Sequence, residues 1–301
     1  MKGVTCCERS DGGAANHPQC VTTAHPRGRQ PAVMFSNVVV GVKELEAGRD
    51  ALVLARALAS ATGNLTLAHV QVSAPKPAPD SGAAGAMAKR RSELERLAAL
   101  RDESQLDAEL VYAAARDVRQ GLHDTARARH ADLLVIGASR YDVIYRDLVG
   151  DDTQALLEDA PCAVAVAPVG YADGRGPLRR IGVAYDGSPE SVCALATARK
   201  LAADQHAELS AFKAVFVPGQ VGDTIDDQVA QALETIDTLG GVDAHAEYGE
   251  PASELRRYGL TVDLLVLGAR KHSPIGRLLG QGTTQRLADE PRCPLLVVEQ
   301  D

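Results

Sequence analysis

Short apolar runs alternate with longer amphipathic segments along most of the chain. Val38-Val39-Val40 and Leu264-Leu265-Val266-Leu267 contain no polar residue, which is typical of strands that are buried on both faces. The longer segments between such runs repeat their apolar residues with helical spacing. Strands that alternate with helices are joined by right-handed crossovers, which make neighbouring strands parallel. The pattern therefore predicts a doubly wound α/β fold.

The chain carries this plan twice. The run at 132–137 matches the run at 263–268 with an offset of 131, and the run at 37–43 matches 180–186 with an offset of 143. The first copy is thus longer, and we assign its extra residues to the Pro- and Ala-rich stretch 73–88. Internal repetition of this kind indicates duplication of one structural unit.

The expected elements follow from the repeat. The first copy is predicted to have strands at 37–42, 64–71, 107–112, 132–137 and 162–167, with helices at 47–62, 84–104, 116–129 and 152–159. The second is predicted to have strands at 180–185, 207–215, 242–247, 263–268 and 294–298, with helices at 189–204, 223–239, 251–258 and 283–290. We expect a disordered tail at 1–33, domains at 34–170 and 178–301, and a turn-rich linker at 171–177.

Composition narrows the classes of function. The formal net charge of the 301 residues is -8, and no tail or predicted face clusters the Lys and Arg that nucleic-acid binding requires. No apolar run approaches the roughly 20 residues that span a bilayer, and the N-terminus has no apolar signal core. We therefore expect a cytoplasmic protein that binds neither nucleic acid nor membrane.

The six cysteines do not indicate a metal site. Cys6, Cys7 and Cys20 lie in the tail with spacing that matches no closed zinc pattern. Cys162 and Cys293 occupy matching positions at the start of the last strand of each copy, where a small buried apolar residue is expected. His69 lies within an apolar strand, so we interpret it as a core histidine with its hydrogen bonds satisfied.

Two motifs point to a known family. Asp186-Gly187-Ser188 follows the first strand of the second copy, and each copy has Asp-Leu-Leu-Val-(Ile/Leu)-Gly before a loop, a helix and a Cys-led final strand. This order resembles the universal stress protein family from Phe35 to Gln300. The resemblance implies a five-stranded parallel sheet in the order 3-2-1-4-5, as in adenine nucleotide alpha hydrolase-like folds, and a protective role under stress.

Many members of this family bind ATP through Gly-x2-Gly-x9-Gly followed by Ser or Thr after the fourth strand. Glycines let backbone N–H groups approach phosphates, and a helix start adds free donors. In the first copy the four positions of this motif are occupied by Gly137, Arg140, Gly150 and Asp151. The carboxylate of Asp151 would repel phosphate; in the alternative interpretation, Asp151 or Asp152 only N-caps the helix that follows. Lys43 also replaces the family's Asp, so nucleotide binding in the first copy is not expected.

The second copy is closer to the family pattern. Asp186 is retained. The four motif positions are occupied by Gly268, Lys271, Gln281 and Gly282, with Gly280 and Thr283 beside them. Lys271 would contact a phosphate as a point charge or would block the backbone approach by its Cβ. We expect ATP with its magnesium in this copy, and no other metal; the alternative is a flexible turn with a Thr N-cap.

These observations favour a non-enzymatic stress-response regulator, because no catalytic triad or metal-holding carboxylate pair is recognisable. The alternative is an interaction module that binds no nucleotide and acts through its surface. The final strands at 163–167 and 295–298 would leave hydrophobic sheet edges exposed. We therefore expect them to pair within one chain as a pseudo-dimer, and a homodimer of whole chains is a further expectation.

Overall fold

A computed structural model describes residues 35–72, 83–138, 156–157, 159–174, 176–216, 223–269, 283–289 and 291–299. The first copy contains β1 (Phe35–Gly41), α1 (Leu45–Leu58), β2 (Ala59–Val72), α2 (Ala83–Glu103), β3 (Glu109–Ala115), α3 (Val118–Ala128), β4 (Leu133–Gly137) and β5 (Ala163–Ala167). The second contains β6 (Arg180–Ala184), α4 (Pro189–Gln205), β7 (Glu208–Val215), α5 (Asp223–Asp237), β8 (Asp243–Tyr248), α6 (Pro251–Tyr258), a 3-10 turn (Gly259–Thr261), β9 (Leu264–Ala269), α7 (Thr283–Asp289) and β10 (Leu295–Glu299).

The ten strands form one sheet in the order β3-β2-β1-β4-β5-β10-β9-β6-β7-β8. Each copy therefore keeps the order 3-2-1-4-5, which confirms the predicted α/β fold of two tandem units. Residues Ala32–Asp301 form one compact unit, in which the two copies share this sheet. The predicted domain boundaries at 170 and 178 stay a prediction.

The two copies meet at their final strands. β5 and β10 are antiparallel, with Val166 opposite Leu295 and Val164 opposite Val297, whereas the other described strand pairs are parallel. The predicted pairing of the two edges within one chain is confirmed. Because each copy satisfies the edge of the other, the central strands expose no hydrophobic edge to solvent.

Helices cover both faces of the sheet because apolar side chains alternate along buried strands. Val38 and Val40 pack into one core cluster together with Leu52 of α1, while Val39 packs into the cluster on the opposite face with Leu122 of α3. Both clusters continue across β5 and β10 into the second copy. The low aromatic content is compensated by Ala, Val and Leu side chains, which allow helices to lie close to the sheet.

The same hydrogen bonds start the first strand of each copy. The carboxylate of Asp132, just before β4, accepts from the backbone N–H groups of Ser36 and Asn37 at 2.8 and 2.9 Å. The carboxylate of Asp263, just before β9, accepts from Arg179 and Arg180 at 2.9 and 2.8 Å. The repeat recognised in the sequence is therefore also a repeat of side-chain contacts.

Several predicted boundaries are corrected. The predicted helix at 47–62 is wrong at its end, because α1 stops at Leu58 and Ala59 adopts an extended backbone with φ of -74° and ψ of 146°. Ala59 pairs with Phe35 before a register shift in β2, and Ser60, Thr62 and Gly63 are poor helix formers. The predicted strand at 107–112 is shifted to Glu109–Ala115.

Other boundaries follow from local caps. The helix predicted at 116–129 begins at Val118 because the carboxylate of Asp117 accepts from the N–H of Gln120 at 2.7 Å. The helix predicted at 223–239 ends at Asp237. Most of the helix predicted at 152–159 lies outside the described residues, as do Asp151 and the tail cysteines.

The interpretation of three core residues is confirmed. Cys293 is buried and Cys162 is half-buried, and burial raises the pKa of each thiol to about 12. The Nδ1 atom of His69 lies 2.9 Å from the carbonyl oxygen of Val42, and the ring stacks on Tyr112. The thiols are thus inert protonated groups at neutral pH.

Candidate nucleotide-binding crevice

The order of strands reverses between β6 and β9 in the second copy. These two strands are parallel neighbours, with Ile181 opposite Leu264 and Val183 opposite Val266, and the chain leaves them toward opposite edges of the sheet. Doubly wound sheets bind ligands in the crevice at the carboxyl ends of such a strand pair. Asp186 and Gly268, two of the predicted site residues, lie at these ends.

Several hydrogen bonds hold the turn between β6 and α4. The Oδ1 atom of Asp186 accepts from the N–H of Ser188 at 2.9 Å. The hydroxyl of Ser188 caps α4 by accepting from the N–H of Ser191 at 3.3 Å, and Pro189 occupies the first turn. The Oγ atom of Ser191 accepts from the N–H of Gly187 at 3.1 Å. These bonds fix the exposed Asp186 beside the N-terminus of a 17-residue helix.

Gly187 is required by the backbone of this turn. Its φ is +85°, a left-handed value that disfavours side chains. A Cβ atom built there would meet no atom within 4 Å, so the space above the turn is open. The turn therefore combines a fixed carboxylate, a helix N-terminus and free space on one side of the crevice.

The terminal glycines of β4 and β9 are explained by packing. A Cβ atom on Gly268 would lie 2.4 Å from the carbonyl oxygen of Glu190 in α4, and one on Gly137 would lie 2.0 Å from that of Ala47 in α1. Each glycine thus lets the first turn of a helix rest on the end of a strand. This role is independent of any ligand, and sequence spacing alone does not distinguish it from phosphate binding.

The first copy differs at the corresponding crevice between β1 and β4. Exposed Lys43 stands at the position of Asp186. The N-cap residue of α1 is Glu44, whose side chain makes no capping hydrogen bond. The fixed turn of the second copy, with its carboxylate and capping hydroxyl, therefore has no counterpart here.

The predicted phosphate loop lies largely outside the described residues. Lys271, Gly280, Gln281 and Gly282 of the second copy and Gly150 of the first belong to this undescribed part. Thr283, the first residue of α7, is described and half-buried. The structure thus brings Asp186 and Gly268 to one crevice, and the phosphate contacts expected of the other residues stay a prediction.

Helix α7 is fixed to α6 by contacts that the sequence analysis missed. The Arg286 guanidinium donates to Oε1 of Glu250 at 2.5 Å, and Arg256 donates to the carbonyl oxygen of Arg286 at 3.1 Å. Burial alone would raise the pKa of Glu250, but hydrogen bonds from Ser253 and the charge of Arg286 lower it overall. An acidic N-cap and an Arg at the matching distance are too common to reveal this pair from sequence.

The comparisons with known proteins identify the family. The model of the universal stress protein family matches residues 34–168 and again residues 177–299. The chain therefore belongs to the universal stress protein family and carries its domain twice. No curated protein matches the chain.

Solved structures show the same fold over nearly the whole length. A universal stress protein from Archaeoglobus fulgidus is 18% identical, with 88% of this chain and 96% of that chain covered and a TM-score of 0.63. A universal stress protein from Pseudomonas aeruginosa UCBPP-PA14 is 19% identical, with 90% and 95% covered and a TM-score of 0.61. A protein of unknown function from Pseudomonas aeruginosa PAO1 is 19% identical, with 89% and 93% covered and a TM-score of 0.61.

Among the described residues, no group of three or more His, Cys, Asp or Glu side chains is arranged to hold a metal ion. Within the same residues, every helix is too short or too polar to cross a bilayer.

Proposed function

We propose that this universal stress protein acts in the cytoplasm as a non-enzymatic stress-response regulator that binds ATP, or a related adenine nucleotide, in its second copy. The observation that carries the proposal is the position of Asp186 at the carboxyl end of β6, where the strand order reverses. A carboxylate there accepts hydrogen bonds from the hydroxyl or amino groups of an adenosine. It lies at the crevice that doubly wound sheets use for such ligands.

The described residues fit the adenosine part of the ligand. Asp186 is exposed and oriented by its bond to Ser188, and Gly187 leaves open space beside it. The N-terminus of α4 favours negative charge. Lys271, Gly280, Gln281, Gly282 and Thr283 would hold the phosphates and their magnesium. Magnesium would supply charge neutralisation between phosphate oxygens.

Calorimetric titration with Mg-ATP tests the proposal on three proteins: wild type, Asp186→Ala and the matched variant Lys43→Ala in the first copy. We expect one site per chain in wild type. Asp186→Ala should weaken binding by about tenfold or more, since a hydrogen bond to a charged group contributes roughly 1.5–3 kcal/mol. Lys43→Ala should bind as wild type does.

Three results would overturn parts of the proposal. Absence of binding to wild type would remove the nucleotide from the function. Steady release of phosphate from ATP, lost in Asp186→Ala, would show an enzyme instead. Equal weakening by Lys43→Ala and Asp186→Ala would place the site elsewhere or in both copies.

A nucleotide-free interaction module is the second candidate. It is favoured by the packing of Gly137 against α1 and of Gly268 against α4. This packing requires a glycine at the first motif position of each copy even when no phosphate is bound. This candidate predicts no heat in the ATP titration. It also predicts self-association or partner binding, and sedimentation analysis of the whole chain with and without ATP would detect the proposed homodimer.

A further inference from the structure

A groove runs along the face of the second copy's sheet next to α6, from the first residues of β6, β7 and β8 as far as Glu247. Its volume is about 490 Å³. Arg180, Glu208 and Asp243, the first residues of β6, β7 and β8, line it together with the C-terminal end of α6. Asp186 follows the other end of β6. Neither Asp186 nor Gly268 lines the groove, so the groove is separate from the proposed nucleotide site.

Aromatic side chains form one wall of this groove. Tyr258 is 6% exposed, stacks on Phe212 with 4.7 Å between ring centroids, and lies 5.8 Å from the His245 ring. Its hydroxyl shares a 2.6 Å hydrogen bond with that of Ser210. One bond leaves lone pairs on this hydroxyl pair free to accept from a ligand. The wall thus offers hydrocarbon, ring faces and a hydrogen-bond acceptor.

The charge around the wall is negative. Glu208, Asp243 and Glu247 line the groove, and none of them forms an ion pair with another residue in the described ranges. The two arginines that line the groove are already paired with carboxylates. Arg180 lies 3.5 Å from Asp263, and Arg257 pairs with Glu254.

The backbone adds to the preference for a cation. Tyr258 is the last residue of α6, and the C-terminus of a helix carries partial negative charge. Burial raises the pKa of Tyr258 to about 12, with Asp243 acting in the same direction. The phenol is therefore neutral at physiological pH and does not itself supply the charge.

The first copy shows that the fold does not require this groove. Glu109 of β3 lies opposite Thr66, as Asp243 of β8 lies opposite Ser210. Glu109 is neutralised by the Arg129 guanidinium, which donates to it at 2.6 Å. The position of His245 in the second copy is taken by Val111, which packs against the apolar cluster. Among the residues that the structure describes, the unpaired carboxylates and the polar wall thus occur in the second copy and not at the matching positions of the first.

We propose that this groove binds a small organic polyamine, with ammonium groups at the carboxylates and methylene groups along the aromatic wall. Asp243 and Glu247 are four residues apart on one strand, which places their Cα atoms about 13 Å apart. An extended chain with two or more amino groups spans such a distance, whereas a single metal ion does not. The volume is also in the range of small-molecule sites, roughly 300–1,000 Å³.

Calorimetric titration of the whole protein with spermidine at low ionic strength tests this inference. Wild type should bind one molecule saturably. Asp243→Asn combined with Glu247→Gln should weaken binding by about tenfold or more, since each lost contact is charge-assisted. Glu109→Gln, the matched removal of a carboxylate in the first copy, should leave binding within about twofold. Circular dichroism and the thermal midpoint show that each variant is folded.

The outcomes distinguish a specific spermidine site from nonspecific attraction of a cation to an acidic protein. Equal weakening by Glu109→Gln and by the groove variant would overturn the proposal, as would competition by Mg²⁺ at the concentration of spermidine. Non-saturable uptake would overturn it too. Asp186→Ala should bind spermidine as wild type does, so that failure of the nucleotide proposal leaves this one to be judged separately.

Discussion

The carboxylate of Asp50, in the middle of α1, accepts a hydrogen bond of 2.8 Å from the backbone N–H of Gly170, which follows β5. Its other oxygen accepts from the N–H of Ala172 at 2.7 Å. Asp50 is only 5% exposed, and Tyr171 between the two donors packs against the core. The first turn of the predicted linker is therefore fixed to the first copy. The matching position in the second copy is Cys193, so the second copy has no carboxylate at this place in its helix.

Removal of the anchor should destabilise the protein. We expect Asp50→Ala to lower the free energy of unfolding by about 3 kcal/mol, because two hydrogen bonds to a charged group are lost and two N–H groups lose their acceptor. Asp50→Asn should cost about half as much, since one oxygen remains. Urea unfolding measures both. Asp173→Asn, which neutralises an exposed carboxylate in the same linker, is the control, and an equal effect there would refute the anchoring role.

Substitution of the strand-end glycines should reveal their packing role. Gly137→Ala and Gly268→Ala should each lower the free energy of unfolding by about 1–3 kcal/mol, because the new methyl group meets a helix carbonyl oxygen. Gly85→Ala is the control. It lies in α2 with no atom near its Cβ position, and removal of a helix glycine stabilises by about 0.5–1 kcal/mol. If Gly268→Ala were as stable as wild type and lost only ATP binding, the packing account would be wrong.

The junction of the two copies can be tested by crosslinking. Val164 and Val297 lie directly opposite each other and share one core cluster. Opposite residues of antiparallel strands have Cα atoms about 4.5–5.5 Å apart, within the range that a disulfide accepts. With the native cysteines replaced, Val164→Cys with Val297→Cys should form a disulfide within one chain, seen by mass spectrometry of peptides.

The matched control places the second cysteine on the other face of β10. Val298 packs into the opposite cluster, so Val164→Cys with Val298→Cys should stay reduced. Disulfides that join two chains in the first variant would show that β5 and β10 pair between molecules rather than within one.

Local patterns were sufficient to predict the central strands β4, β5, β9 and β10, because each is a buried apolar run. The order of the strands was predicted from the resemblance to the family. Local patterns failed at residues 59–62, which were predicted to be helical. Ala59 instead pairs with Phe35 of β1, and this contact, distant in sequence, outweighs the weak helix propensity of the stretch. Asp186 was predicted from its motif. Asp50 was missed, since its acceptor role depends on Gly170, 120 residues away, and no spacing rule links them.

His123 should make stability depend on pH below neutrality. It is 3% exposed, and its Nε2 atom lies 3.0 Å from the carbonyl oxygen of Leu156. Burial lowers the pKa of His123 from its ordinary value of 6.5, opposed in part by the bond to Leu156. Arg127 and Arg119 lower the pKa further, and Asp124 raises it. The folded protein thus holds the ring neutral, with the proton on Nε2 donated to Leu156.

The direction in which pH changes the free energy of unfolding follows from proton binding. Between the ordinary histidine pKa of 6.5 and the lower pKa of buried His123, the unfolded chain binds a proton that the folded chain does not, so the free energy of unfolding falls as pH falls. The stability contributed by neutral His123 is fully present above the ordinary pKa. His123→Gln keeps a donor for Leu156 but does not titrate. Urea unfolding at about pH 7.5 and about pH 5.5 should show a smaller loss for His123→Gln than for wild type, and equal losses would mean that His123 titrates normally in the fold.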